Sequence, residues 1–405
     1  MSEPLVIVGQ GMAAARLADE LSARALGRYA IVVIGAEPFR AYNRVLLSSV
    51  LAGEIAAADI ELKPSQWWEG RGVTNLYGSP VAGVDRNAKT VRLESGLELP
   101  YSKLVFATGS HPIRLPRPGM DLQGVMTFRT MGDVDAMLRE AALGRRAAVI
   151  GGGLLGLEAA YGLAKAGVKV TLIHVVDRLM ERQLDASAAR LLAEAMRTKG
   201  VEVMLEAETD FIVGTDRAEG VALKNGIQIE ADLVVCAVGV RPNADLARAA
   251  GLAVNRGIVV DDAMATSDAD IFALGECAEH RGVAYGLVEP AYEQAKVLAR
   301  RLTGDSRAAF AGSTLATNLK IAGVALFSAG DFNDAGREAI VFEDPAAGVY
   351  KKLVIEAGRL VGAVLFGDAV DGLWYQDLIR SGASIESIRD TLAFGQAASS
   401  LSEAA

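Results

Sequence analysis

Two short runs decide most of what this chain can fold into. Residues 5–14 read LVIVGQGMAA and residues 147–156 read AAVIGGGLLG. In each, an apolar stretch (Leu5–Val8, Ala147–Ile150) meets a glycine-rich turn. A helical pattern follows, Met12 to about Leu26 and Leu154–Ala166, and then a second buried run, Ala30–Ile34 and Val168–Ile173. Gly167 is a natural stop for the second helix. A strand, a helix and a second strand in that order imply a parallel sheet, because the helix must carry the chain back. The two copies lie 142 residues apart, so this is an architectural duplication and not a short-period repeat.

Composition narrows the remainder. A chain of 405 residues has room for two or three domains. Its 41 Lys+Arg against 50 Asp+Glu give −9, which argues against a general nucleic-acid binder. Cys236 and Cys277 are too few and too far apart for a disulfide framework or a four-cysteine metal site. His111 and His280 have no metal-ligand spacing, so no metal is expected. The richest apolar stretch, 147–173, is interrupted by Glu158, Lys165 and Lys169, so no membrane span is predicted. The N-terminus lacks the basic segment of a signal peptide. These features read as a cytoplasmic protein.

Elsewhere, Thr90–Leu99 predicts a hairpin around Ser95-Gly96, and Leu104–Phe106 runs into Ala107-Thr108-Gly109-Ser110. The proline-rich stretch 111–119 reads as a linker, and Asp232–Val238 as a strand ending at a second crossing, Gly239–Asn243. After a loop at 303–313, Ala339–Phe342, Tyr350–Glu356 and Leu360–Phe366 are strand-like. Leu373–Arg380 and Ile385–Leu392 look helical, and the Ala/Ser-rich end, 397–405, reads as frayed. The predicted class is α/β: two Rossmann-like dinucleotide-binding domains plus a C-terminal α+β domain.

The first motif, Gly-x-Gly-x-x-Ala, suits a dinucleotide pyrophosphate. Gly9 makes the tight turn, Gly11 lets phosphate approach the backbone, and Ala14 permits close helix–strand packing. The helix beginning Met12-Ala13 offers free N–H groups. Glu37, just past the second strand, is placed to accept hydrogen bonds from a ribose diol; the alternative is a solvated loop carboxylate. The second motif, Gly151-x-Gly153-x-x-Gly156 with Leu154 and Leu155 opening its helix, repeats the arrangement. Two such units in one chain suggest a flavin and a nicotinamide dinucleotide whose rings meet.

Four segments, 5–14, ATGS (107–110), AVIGGGLLGLEAA (148–160) and DIFALGECAE (270–279), resemble FAD-dependent pyridine-nucleotide oxidoreductases of the ferredoxin- and rubredoxin-reductase type. AYNRVLLSSVLAGE (41–54), LMERQLD (179–185) and GECAEHRGVAYGLVEP (275–290) narrow it toward the flavin part of assimilatory nitrite reductase large subunits and nitrate-assimilation NADH reductases. The resemblance implies an FAD domain in two parts, 1–111 and 241–310, around an NAD(P) domain, 112–240, with the C-terminal domain at 311–405. It implies FAD contacts from residues 9–14, Glu37, Arg44, Ser49, Val81, Ala107, Thr108, Gly109, Gly275, Glu276, Val288 and Pro290. The nicotinamide dinucleotide would meet Gly151, Gly153, Leu154, Leu155, Gly156, His174, Arg182 and Gly239, with Glu158 positioning the nicotinamide.

Two departures from the family pattern stand out. Ser49 occupies the place of a lysine that many relatives carry near the flavin. His174 stands where NAD-specific enzymes usually place an acid: a neutral imidazole would bond a ribose hydroxyl, a protonated one would tolerate a 2′-phosphate. Asp177 favours NADH, whereas Arg178 and Arg182 favour NADPH, and NADH is the preferred reading. Residues 1–100 contain no cysteine, which excludes the redox-disulfide and single-cysteine branches. The implied activity is electron transfer from NADH through FAD to a separate protein: a nitrate or nitrite reductase subunit, a ferredoxin or a rubredoxin. A nicotinamide-responsive signalling flavoprotein is the reading from another class. A monomer or a homodimer fits either.

Overall fold

Five parallel strands form the first sheet, in the order Ile271–Ala273, Lys103–Phe106, Glu3–Val8, Tyr29–Ile34, Thr74–Leu76. The computed structural model describes residues 2–313, 316–321 and 323–403. Both faces of this sheet are covered, so its strands are nearly continuous apolar runs; Leu5, Ile7, Leu104, Val105 and Phe106 are wholly buried. The helix Met12–Ala25 packs against Val288–Leu302 on one face. The strand Ile271–Ala273 comes from far along the chain, so this first unit is discontinuous in sequence.

A second sheet repeats the plan: Val201–Met204, Val170–Ile173, Ala147–Ile150, Leu233–Cys236, Val125–Thr127, all parallel. The chain crosses between the two sheets twice. The outgoing strand Ser110–Pro112 and the returning strand Val240–Pro242 pair antiparallel at the crossing. Asn243 locks that ribbon: its Nδ2 donates to the Thr108 carbonyl at 2.8 Å, and Thr108 Oγ1 donates to the Asn243 carbonyl at 2.7 Å. The proline-rich stretch 111–119 is therefore partly strand.

The expected hairpin at 90–99 is part of a three-stranded meander, Val81–Asp85, Thr90–Leu93 and Glu98–Pro100. Beyond residue 315 lies a five-stranded antiparallel sheet: Ala316–Ile321, Val324–Gly330, Arg359–Gly367, Val349–Glu356, Glu338–Asp344. Its first two strands were not anticipated. The helix Gly372–Ser381 covers one face. The stretch 385–392 is not a continuous helix but 3-10 turns, Glu386–Ile388 and Leu392–Phe394. The expected frayed end is helical over Gln396–Glu403, while 404–405 lie outside the described residues. Leu326, Tyr350, Val364 and Phe366 share one core with Leu172, Leu184 and Leu192, so this sheet packs on the second parallel layer.

Candidate functional site

Each parallel sheet ends in the same local geometry. Gly9 has φ +114°, and a Cβ there would lie 2.0 Å from the Ala107 carbonyl oxygen; Gly151 has φ +119°, and a Cβ would lie 2.3 Å from the Ala237 carbonyl oxygen. Only glycine fits either place. The second glycines differ in kind. Among the described residues, a Cβ on Gly11 or Gly153 would meet no atom within 4 Å, so these residues leave the space in front of each helix open. Gly11 and Gly153 are the N-caps, and neither helix start carries a side-chain cap. The first N–H groups, at Met12-Ala13 and Leu154-Leu155, thus face open space with the positive end of the helix dipole behind them. At the third position Gly156 presses on its own turn, where a Cβ would lie 1.8 Å from the Gly151 carbonyl oxygen. Ala14, its counterpart, is fully buried.

The first site gathers residues from distant segments. Gly275, with φ +77°, has its Cβ direction 3.0 Å from Ala13 Cβ and 3.9 Å from Ala291 Cβ. That brings the start of the first helix, the Gly275-Glu276 turn and the helix that begins at Val288 and Pro290 together. This last helix also begins without a side-chain cap. Gly275 N–H donates to Gln294 Oε1 at 2.7 Å; Gln294 is wholly buried and its Nε2 has no partner among the described residues. Sequence reasoning missed Gln294, because a glutamine inside an amphipathic helix carries no motif.

A chain of ionic contacts runs along the same edge. Glu37 Oε1 pairs with Arg44 Nη2 at 2.6 Å, and Glu37 Oε2 accepts from the Tyr42 hydroxyl at 2.7 Å. Arg44 Nη1 donates to the Arg129 carbonyl, and Arg129 Nη2 pairs with Glu276 Oε2. Ser110 Oγ donates to the same Glu276 oxygen at 2.7 Å. Both carboxylates therefore already hold protein donors and would share them with a ligand. Arg129 was not anticipated, yet a physical signal existed. It immediately precedes a Thr130-x-x-Asp133 capping box, and Arg129 N and Thr130 N donate to Asp133 Oδ2 at 2.8 and 2.9 Å. A cation at a helix N-terminus is unfavourable unless an anion offsets it. Arg129 Nε is buried with no partner among the described residues.

The remaining predicted contacts are placed as follows. Thr108 and Gly109 lie at the crossing ribbon, Gly109 with φ +65°. Val81 opens the meander, pairs with Leu93 and packs on the first core. Gly239, φ +123°, accepts from Ile113 N–H at 2.9 Å at the mouth of the second sheet. Arg182 is exposed. Cys277 is fully buried; its Sγ lies 3.3 Å from the Leu274 carbonyl oxygen, and burial pushes its thiol up, so it packs rather than reacts.

Ser48 Oγ donates to the Val45 carbonyl at 3.4 Å and stands near enough to the Glu158 carboxyl to favour its ionised form, while Ser49 neighbours Glu54, which pairs with Lys165 at 2.6 Å. Burial pushes Glu158 up to about 7, with Ser48 pulling the other way. His174, expected at the ribose of the nicotinamide dinucleotide, has protein partners on both ring nitrogens. Its ring is buried, Gly152 N–H donates to Nδ1 at 3.0 Å, and Nε2 lies 3.2 Å from Glu181 Oε2. The imidazole thus braces the Gly152 turn against Glu181.

A family model for pyridine nucleotide-disulphide oxidoreductases matches residues 3–296. The chain belongs to that family. A second model, the C-terminal domain of rubredoxin NAD+ reductase, matches residues 316–383. The chain is 48% identical to a nitrite reductase [NAD(P)H] of Bacillus subtilis (strain 168) over 94% of its own length and 48% of the relative's. It is 45% identical to the assimilatory nitrate reductase electron transfer subunit of the same organism, over 91% of this chain and 48% of that one. It thus spans about half the length of these curated relatives. Putidaredoxin reductase, solved as a covalent complex with putidaredoxin, superposes with a TM-score of 0.85 at 27% identity, covering 94% of both chains. FAD and NAD(P)H are the cofactors of this family, and the two open, uncapped helix starts, with the unpartnered Arg129 Nε and Gln294 Nε2 at the first, fit two dinucleotides. Among the described residues no helix is long and apolar enough to cross a membrane.

Proposed function

We propose that the chain is an FAD-dependent NADH:acceptor reductase that passes electrons to a separate redox protein. The observation that carries this is the pair of glycine turns whose second Cβ positions are empty, one at each parallel sheet. FAD belongs at the first turn, where its pyrophosphate meets the N–H groups after Gly11 and where Arg44 and Arg129 supply positive charge. Glu37 and Glu276 hold ribose and ribityl hydroxyls, Val81 backs the adenosine, and the Ala107–Gly109 turn with Val288 and Pro290 borders the ring. The nicotinamide dinucleotide belongs at the second turn, held by Gly151–Gly156 and bordered by Gly239. Bound flavin would supply what no side chain here can, acceptance of a hydride and release of single electrons.

The protein's own contribution is placement. Glu158 lies one helical turn past Gly153, on the helix that opens the nicotinamide site, and packs against Ser48 from the flavin side. A carboxyl at that junction can hold the nicotinamide carboxamide so that the two rings stack. With a serine in place of the family lysine, its proton is governed by burial and not by a cationic neighbour.

The acceptor is read from the relatives: nitrate or nitrite assimilation, in the cytoplasm, with a reductase subunit or a linked domain as partner. The match of residues 316–383 to a rubredoxin reductase domain supports a second reading, a rubredoxin or ferredoxin reductase. The test is NADH oxidation by the flavin-loaded protein with each acceptor in turn. Rapid turnover with a nitrate-assimilation component and slow turnover with rubredoxin supports the first reading; the reverse supports the second. No flavin bleaching by either nicotinamide dinucleotide would remove both and favour a signalling flavoprotein.

A further inference from the structure

The second glycine turn has a lid of side chains built from the segment after the strand Val170–Ile173. His174 N–H donates to the Met204 carbonyl at 2.8 Å, fixing the strand end, and its ring stands over Gly152, where a Cβ would lie 2.6 Å from it. The chain then leaves and returns. Met180, in a left-handed conformation (φ 50°), donates its N–H to the Gly152 carbonyl at 3.0 Å, and Leu179 packs on the same glycine. Glu181 follows directly. The return path therefore delivers a carboxylate to the edge of the turn, seven residues after the position where a dinucleotide-binding unit normally presents one.

The brace on that carboxylate is directional. Because Gly152 N–H occupies Nδ1 as a donor, the ring proton sits on Nε2 and points at Glu181 Oε2, 3.2 Å away. Glu181 is partly exposed, and its Oε1 has no partner among the described residues. Two arginines lie nearby. Arg178 is paired with Asp177 at 3.1 Å, whereas Arg182, exposed beside Glu181 with no acid among its described contacts, is the opposing charge that the NAD+/NADP+ comparison weighs. We infer that Glu181, oriented by His174, takes the adenosine ribose diol of the nicotinamide dinucleotide and excludes a 2′-phosphate. A fixed carboxylate accepts from two hydroxyls and repels a phosphate at the same point. His174 is then a positioning residue, and the acid that is missing from the strand end has been supplied by the returning loop.

This rests on the second turn being the nicotinamide site. The experiment is calorimetric titration of the flavin-loaded protein with NAD+ and with NADP+, beside steady-state kinetics with NADH and NADPH. Wild type should bind NAD+ more tightly than NADP+. Glu181→Gln keeps the shape and removes the charge; it should weaken NAD+ binding and raise KM for NADH by about tenfold or more, the loss of hydrogen bonds to a charged group, with kcat unchanged. NADP+ affinity should hold or improve. His174→Phe, which fills the space without a donor, should move the NAD+/NADP+ ratio in the same direction. Equal loss of both dinucleotides in Glu181→Gln, or wild-type binding that favours NADP+, overturns the proposal. Gly153→Val is titrated alongside: if it still binds NAD+ normally, the site reading itself fails. If it loses both dinucleotides while Glu181→Gln changes neither, only the role of Glu181 fails.

Discussion

Gly9 and Gly11 are both glycines of one motif, yet the structure asks different things of them. Gly9 is required by the fold: its φ of +114° and the Ala107 carbonyl in its Cβ direction leave no room for a side chain. Nothing among the described residues occupies the Cβ direction of Gly11, so under the proposed flavin site the ligand is what requires this glycine. Gly9→Ala should therefore lower stability by about 2–4 kcal/mol, visible as a fall in Tm of the flavin-free protein. Gly11→Val should cost only about 1 kcal/mol, as a poorer N-cap, while purifying largely without flavin absorbance. Full flavin occupancy in Gly11→Val would place the first site elsewhere. Glu158 makes a second prediction at this scale. Its carboxyl sits near 7 in the folded protein against 4.5 as the ordinary value, so between those values the folded state binds more protons than the unfolded. Stability should then fall as pH rises from about 5 to 8, by on the order of 2 kcal/mol from this group. Glu158→Gln should flatten that part of the pH–Tm curve; an unchanged slope would show that the carboxyl ionises freely.

Among the elements, the helix Ala186–Thr198 ties the second parallel sheet to the C-terminal one. Asp185 is its N-cap, with Oδ1 accepting from Ala188 N–H at 3.1 Å. Asp185 Oδ2 accepts from the Tyr350 hydroxyl and lies 3.7 Å from Lys352 Nζ, a nearly buried lysine that Asp334 also pairs at 3.1 Å. Asp185→Ala removes the cap and strands a buried hydroxyl and part of a buried charge, so it should cost about 2–4 kcal/mol. Asp185→Asn keeps the cap and should cost about half as much. Denaturant melts of the two variants separate the terms; equal losses would mean that the cap contributes nothing. Such links show where the sequence was readable. The parallel units were legible because buried strands are uninterrupted apolar runs and glycine turns have few alternatives. The strands Ala316–Ile321 and Val324–Gly330 were not, since ATNLKI and VALFSAG lack a clear alternation. The site was legible where a backbone demanded glycine. It was missed at Arg129, whose capping box Thr130-x-x-Asp133 is a readable spacing that does not by itself name the preceding arginine, and at Gln294 and Glu181, which a buried amide and a returning loop place without any spacing in the sequence.

At the scale of the whole molecule, the question is how electrons leave. The family takes its name partly from disulphide chemistry, and this chain cannot perform it. Its two cysteines are free and buried, in separate cores, and burial pushes both thiols up. A dithiol relay needs an accessible thiolate beside a second sulfur. Two cysteines also cannot build a four-cysteine iron–sulfur cluster, so the chain by itself has no ligand set for that route. Under the proposed function, the electrons then pass directly to a separate acceptor. The C-terminal sheet is braced against the second parallel layer through Tyr350 and Lys352, which both reach Asp185. The flavin-loaded chain should therefore reduce ferricyanide with NADH. It should show negligible reduction of a small disulfide and, assayed alone, negligible conversion of nitrite to ammonia. Parallel assays of the three acceptors decide it. Efficient disulfide reduction would require a thiol pair that this fold keeps apart, and nitrite reduction would require a metal centre that its cysteines cannot hold.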